Sequence, residues 1–306
     1  MSTSSPSQGA PAPLRPGSRV AVVAPSGIFE PARLEAGMAL IASWGLQPVP
    51  SAHLGARFRY TAGTAAQRAL DLRAALTDPE IDAIWFARGG YGTAQLLDAA
   101  PWTALGGRPL IGFSDATAAF ARLSRQGLAG GLHAPVLHSL ADLADGPSQA
   151  ALRALLLEGL TPALPGAQVA GPDRVVEGPL VGGNLCVLAS LCGTPDQLDA
   201  RGRVVLLEDI AEPPYKIDRM LSQLRQAGCL RGALGLALGN FTRCDPPADA
   251  DYSLMNVILD VLDGLDLPVV AGLPVGHGAE NHPWWVGAPY RLDAGGLSPL
   301  PAGWSA

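Results

Sequence analysis

The sequence predicts an α/β fold built in two halves, and three features point there. From Arg19 onward short apolar runs alternate with amphipathic segments, the rhythm of βαβ units on a parallel sheet. Between Gly159 and Asp173 the composition turns to Pro, Gly, Ala and Thr with little periodicity, as an interdomain linker does. The 306 residues, 48% of them hydrophobic, suffice to bury a core without disulfide or metal staples.

Residues 1–16, rich in Ser, Pro and Ala, are expected to form a disordered tail. The first domain, 17–158, then reads in order. The apolar runs 20–24 and 81–87 are strands, and the amphipathic segments 31–44 and 64–76 are helices. A short helix at 93–99 follows, then an apolar strand at 109–113, an apolar helical pattern at 116–125, and a closing helix at 148–158. Residues 159–174 form the expected linker, and 175–306 the second domain. There a Gly-led helix is expected at 184–191, a buried strand at 204–207, a helix at 215–227 and another apolar run at 234–238. A helix at 252–262 leads into a last run at 268–271, so this half is α/β as well, with a strand order that the sequence does not reveal. No internal repeat and no heptad run is present.

Composition excludes several classes of function. A net charge of -6 with pI near 5.3 offers no basic stripe for phosphates, so no nucleic-acid partner is expected. Gly, Pro or charge breaks every long apolar stretch, so no membrane span is expected either. The N-terminal residues lack a basic cluster followed by an apolar run, and no secretory signal is read there. The four cysteines, Cys186, Cys192, Cys229 and Cys244, form no C-x-x-C pair. They read as buried thiols of a reducing compartment, hence a cytoplasmic chain with no metal site.

The sharpest local feature is the run L-I-G-F-S-D-A-T at 110–117, where an apolar strand stops at Ser114 and a helix begins at once. Such a turn exposes a nucleophilic hydroxyl and aims backbone N–H groups at a developing oxyanion. Gly112 leaves one side open, although Ala116 stands where a full G-x-S-x-G elbow has its second Gly. Ser is also a favoured N-cap, which would place it there without chemistry. Of the five histidines, His277 lies in a loop after a buried strand, between Gly276 and Gly278, and is the best candidate base. His133 and His138 read as structural histidines. An orienting carboxylate comes from the end of the strand at 204–207, as Glu208, with Asp209 and Glu212 as alternatives in the same stretch. The block R-G-G-Y-G at 88–92 can turn backbone N–H groups toward a ligand, and Arg88 can meet a carboxylate. A phosphate cradle is the competing use of that block, but the Walker Lys-Ser/Thr and the dinucleotide Gly pattern are both missing. Asn184, in V-G-G-N-L, either caps a helix or reaches substrate from its start.

Taken in order, these blocks resemble the LD-carboxypeptidase family of serine peptidases, which includes murein tetrapeptidases and microcin-immunity peptidases. The similarity runs from Val20 to Asp293. It is carried by V-V-A-P-S-G at 22–27, R-G-G-Y-G at 88–92, G-F-S-D at 112–115, G-G-N-L at 182–185, L-E-D at 207–209 with E-P-P-Y-K-I-D-R at 212–219, and G-H-G at 276–278. The resemblance implies an N-terminal parallel-sheet α/β domain, a smaller C-terminal α/β domain and an active site between them. It makes Ser114 the nucleophile, Glu208 the acid and His277 the base, with backbone N–H groups of Asp115 and Gly90 as the oxyanion hole. It further implies Asn184 as a substrate contact and a homodimer. Arg88 and Arg219 are candidates, on charge and placement, for holding a substrate carboxylate. Where relatives carry Leu-Pro after the G-H-G block, this chain has Trp284-Trp285.

The activity so implied is hydrolysis of the L,D amide that releases terminal D-Ala from a murein tetrapeptide in peptidoglycan recycling, through an acyl-enzyme and with no cofactor. The partner is a small peptide. Two alternatives accompany it. One is a microcin-immunity peptidase acting on an acyl-adenylate-like toxin, for which Trp284 or Trp285 could supply a nucleobase platform. The other is a non-catalytic protein that binds murein fragments. A glutamine-amidotransferase-like enzyme is disfavoured, because no Cys occupies an elbow.

Overall fold

The computed structural model describes residues 11–143 and 146–301, in two compact units. The first comprises residues 11–162 with His282–Val286, the second Ala163–Asn281 with residues 287–301. Of the expected N-terminal tail, residues 1–10 lie outside the described residues. From residue 11 the chain is docked rather than loose: Leu14 is buried and its N–H donates to the Leu156 carbonyl at 2.7 Å.

The first unit runs β1 (Arg19–Val23), α1 (Pro31–Ser43), β2 (Gln47–Pro50), α2 (Ala65–Thr77), β3 (Ala83–Phe86), β4 (Leu110–Gly112), α3 (Thr117–Arg125), β5 (Gly131–His133), α4 (Leu137–Leu140) and α5 (Pro147–Glu158). The second contributes β6 (Leu164–Pro165), β7 (Ala167–Ala170), β8 (Val176–Asn184), α6 (Leu185–Ser190), β9 (Val204–Ile210), α7 (Pro214–Gln226), β10 (Gly235–Thr242), α8 (Leu254–Leu262) and β11 (Val269–Ala271). After β12 (Trp284–Trp285), which returns to the first unit, β13 (Pro289–Asp293) and β14 (Gly296–Pro299) complete the second. Among the described residues no helix is long and apolar enough to cross a membrane.

The first sheet has the order β12-β5-β4-β3-β1-β2, parallel throughout except for β12, which pairs antiparallel with β5. Its central strands are covered on both faces, which is why β3 reads A-I-W-F with every residue buried. The sequence hides β2, Q-P-V-P, because its prolines are tolerated only at an edge, where β2 lies. Since β1, β3 and β4 are parallel neighbours, the loops that follow them leave from the same edge of the sheet. α2 starts on a full capping box, in which the Thr64 hydroxyl accepts from the Gln67 N–H and the Gln67 side chain accepts from the Thr64 N–H.

The second sheet has the order β6-β14-β13-β8-β9-β10-β11-β7, with β8 to β11 parallel and the flanking strands antiparallel. Its terminal strands, β6 and β7, are consecutive in the chain and separated by Gly166 alone. The sheet therefore rolls until its two edges are one residue apart. Gly166 has no room for more: a Cβ there would lie 2.9 Å from the Ala271 carbonyl oxygen. The stretch 159–174, expected as a linker, thus contains the two strands that close this sheet. Helices α6, α7 and α8 pack Leu188, Ile217, Leu221 and Ile258 against Val205, Leu207 and Leu236 of the parallel strands.

Candidate active site

β4 ends at Gly112, Phe113 continues extended, and Ser114 turns to φ 60, a left-handed conformation that costs a residue with a Cβ about 1–2 kcal/mol. The residue at the cap position of the short turn is Phe113, with no side-chain cap bond, so helix capping does not account for Ser114. Strain of this kind persists where the surroundings over-determine it. Gly89 lies flush against Ser114, since a Cβ at 89 would stand 2.9 Å from Ser114 Cβ and 3.0 Å from its Oγ. Gly90, at φ 110, continues the loop past Gly27.

The neighbouring Asp115 carboxyl is buried. Its Oδ2 accepts from Ser26 Oγ at 2.6 Å and from the Thr93 N–H at 2.8 Å. Burial pushes the Asp115 carboxyl above the usual range, and these donors oppose the shift. Sequence reasoning assigned Asp115 only a backbone role. Ser26 lies within one recognisable block and Thr93 directly follows another, but no sequence spacing shows that they meet one carboxylate.

In the second unit, β9 carries Glu208 and Asp209 in succession, and alternation sends them to different partners. Glu208 is fully buried, and its Oε2 lies 2.7 Å from His277 Nδ1. A carboxylate brings no proton, so Nδ1–H donates to it. The approach depends on glycine: at Gly276, φ 108, a Cβ would lie 2.5 Å from Glu208 Oε2 and 2.8 Å from its Cβ. The loop is pinned by the Gly276 N–H, which donates to Asn281 Oδ1 at 3.0 Å, and a side chain at Gly278 would collide with Asn240.

Asp209 turns instead to α6, accepting from the Cys186 N–H at 2.9 Å and from Asn184 Nδ2 at 3.0 Å. Burial pushes its carboxyl up to about 6 despite these donors. Glu212 pairs with Lys216 at 3.1 Å. Of the acids in this stretch, only Glu208 faces the histidine.

The other candidates are placed as follows. Asn184 caps α6 through Oδ1, accepting from the Val187 N–H, while its Nδ2 holds Asp209; both ends of the amide are engaged inside the unit. Arg88 is exposed and donates to the Ile28 carbonyl. Arg219 lies over the Tyr215 ring on α7, in an open groove with Cys192, Ser222 and Gln223. His133 is buried between Phe113, Phe120 and Trp284, stacked on the indole at 5.1 Å. Trp284 and Trp285 are likewise buried as β12, so neither offers the open platform that a nucleobase would need. His53 also meets a carboxylate, Asp71, at 2.7 Å, but Asp71 takes the His53 backbone N–H as well and so ties down the loop after β2.

Two family models match the chain, the LD-carboxypeptidase N-terminal domain over residues 20–134 and the LD-carboxypeptidase C-terminal domain over 177–292. The murein tetrapeptide carboxypeptidase of Pseudomonas aeruginosa is 37% identical over 291 residues, covering 91% of this chain and 94% of that one. The crystal structure of muramoyltetrapeptide carboxypeptidase from Oxalobacter formigenes superposes with a TM-score of 0.79 at 29% identity, covering 92% and 97% of the two chains. The microcin C7 self-immunity protein shares the fold, with a TM-score of 0.84 at 21% identity over 98% of this chain and 100% of that one. With matches to both domain models and this identity along nearly its whole length, the chain belongs to the LD-carboxypeptidase family of serine peptidases.

Proposed function

We propose that this protein hydrolyses the L,D amide bond of murein tetrapeptides and releases the terminal D-Ala, with Ser114 as nucleophile, His277 as general base and Glu208 as the acid that orients it. The observation that carries this reading is the 2.7 Å bond from His277 Nδ1 to the buried Glu208 carboxylate, which fixes the imidazole tautomer that a base requires. Nε2 takes the Ser114 proton as Oγ attacks the amide carbonyl. The same proton passes to the leaving D-Ala nitrogen as the C–N bond breaks, giving an acyl-enzyme. Water, deprotonated by His277, then releases the peptide and restores Ser114. Backbone N–H groups of Gly90 and Asp115 hold the oxyanion. The loop of Arg88 adjoins Ser114 through Gly89, which favours Arg88 over Arg219 for the substrate carboxylate.

Burial of both tryptophans favours the murein peptide over a nucleoside-bearing toxin as substrate. The described cysteines are all free thiols, which supports a cytoplasmic location, and the family resemblance supports a homodimer, measurable by sedimentation. The deciding experiment follows D-Ala release from a murein tetrapeptide and from its all-L isomer, with wild type and Ser114→Ala side by side. Release from the L,D peptide alone, lost in the variant, is expected. Release of amino acid only from an aminoacyl sulfamoyl adenosine would move the protein to the toxin-cleaving class.

A further inference from the structure

We propose that the Asp115 carboxylate is a positioning group for catalysis, clamping together the loops that leave β1, β3 and β4. The proposal rests on Ser114 being the nucleophile. Asp115 draws in the hydroxyl of Ser26, after β1, and the N–H of Thr93, after β3, and the two hydroxyls of Ser26 and Thr93 themselves lie 3.1 Å apart. Arg68 of α2 grips the same two loops one residue earlier, donating to the carbonyls of Pro25 at 2.5 Å and Gly92 at 3.0 Å. All four side chains are almost fully buried: Ser26 and Thr93 at 0%, Asp115 at 2% and Arg68 at 3% exposure. Gly92 is required because any side chain there would strike the guanidinium and the Pro25 carbonyl. An anion thus holds hydrogens, and a cation holds the adjacent carbonyls, of one pair of loops.

What this clamp fixes is the segment 88–92, whose Gly89 abuts Ser114 and whose Gly90 N–H is assigned to the oxyanion. Donors stabilise a transition state to the extent that they are already in place. The residue that bears the clamp directly follows the strained Ser114, so the same bonds hold that turn in its left-handed conformation.

The test is Asp115→Asn, which keeps the shape but sets an amide among donors. The expected result is a fall in kcat of about 100-fold with KM within about threefold, together with faster hydrogen exchange at the amides of Gly90, Gly92 and Thr93. Ser253→Ala, at the cap of α8 in the other unit, is expected to alter stability and leave kcat unchanged. Ser26→Ala, a milder change that serves if Asp115→Asn does not fold, should lower kcat by about tenfold and add little on the Asp115→Asn background. A folded Asp115→Asn enzyme with wild-type kcat, a change confined to KM, or unaltered exchange would overturn the proposal. If Ser114→Ala remains active, the functional reading fails instead, and the exchange measurement still decides whether the clamp orders the loop.

Discussion

Ser114 and His277 are held by opposite means. Around Ser114 the chain spends polar groups: a strained backbone, a buried carboxylate with several donors, and a buried guanidinium that ties two loops. Around His277 it removes atoms: Gly276 and Gly278 clear the space, and the hydrogen bond to Glu208 orients the ring. A network shares the loss of any one member, whereas a close approach with no room for a Cβ cannot absorb an added atom. The difference predicts which substitutions act on chemistry and which on folding.

The largest effect is expected for Glu208→Gln, which places an amide where the imidazole N–H must be accepted. kcat for D-Ala release should fall about 10³- to 10⁴-fold with KM nearly unchanged. A loss below tenfold would mean that the loop alone orients His277. Next comes Gly276→Ala, whose Cβ meets Glu208 at a backbone angle that alanine resists. Chemical denaturation should show a loss of about 3 kcal/mol, and full stability would show that the loop can yield.

The third is a pH effect. Asp209 titrates at about 6 in the folded chain, above its ordinary 3.8, so the native state keeps the proton longer than the unfolded one. Its stabilising contribution is complete below about pH 4 and is lost as pH rises through about 6, by roughly 2–3 kcal/mol in all. The stability difference between wild type and Asp209→Asn, followed by denaturation from pH 3 to 8, should change across that window and be flat above it. The smallest effect sharpens the comparison from outside. Ser253 caps α8 through the Asn256 N–H, away from Ser114 and His277 in sequence. Ser253→Ala should lower stability by about 1 kcal/mol and leave kcat within twofold.

Much of the first sheet is legible in the sequence, because fully buried parallel strands read as apolar runs and their helices as amphipathic segments. The strand-end position of Ser114 is legible for the same reason, and so is the glycine frame of His277, whereas Glu208, expected at a strand end, lies inside β9, which runs on to Ile210. Which of the acids faces that histidine is not legible, since composition is identical on either choice; strand alternation decides it. The rolled second sheet escapes notice because β6 has two residues and its partner lies far along the chain, so that Pro and Gly at 159–174 imitate a linker. The Asp115 clamp is equally hidden, being made by residues 22 and 89 positions away. Trp284-Trp285, which in the sequence alone suggests an altered pocket, is an edge strand whose partner is set by the fold.

That edge strand also bears on how the protein is made. β5 emerges from the ribosome about 150 residues before Trp284 and Trp285 exist to cover it. At typical rates of synthesis this leaves the edge unpaired for on the order of 10 to 30 s, with the Trp284 side of His133 uncovered. The first unit is therefore the earlier to begin folding, yet it waits for residues 282–286, made after most of the second unit. A nascent chain halted anywhere between these two points presents a bare strand to its neighbours, and that interval is when a chaperone has something to hold.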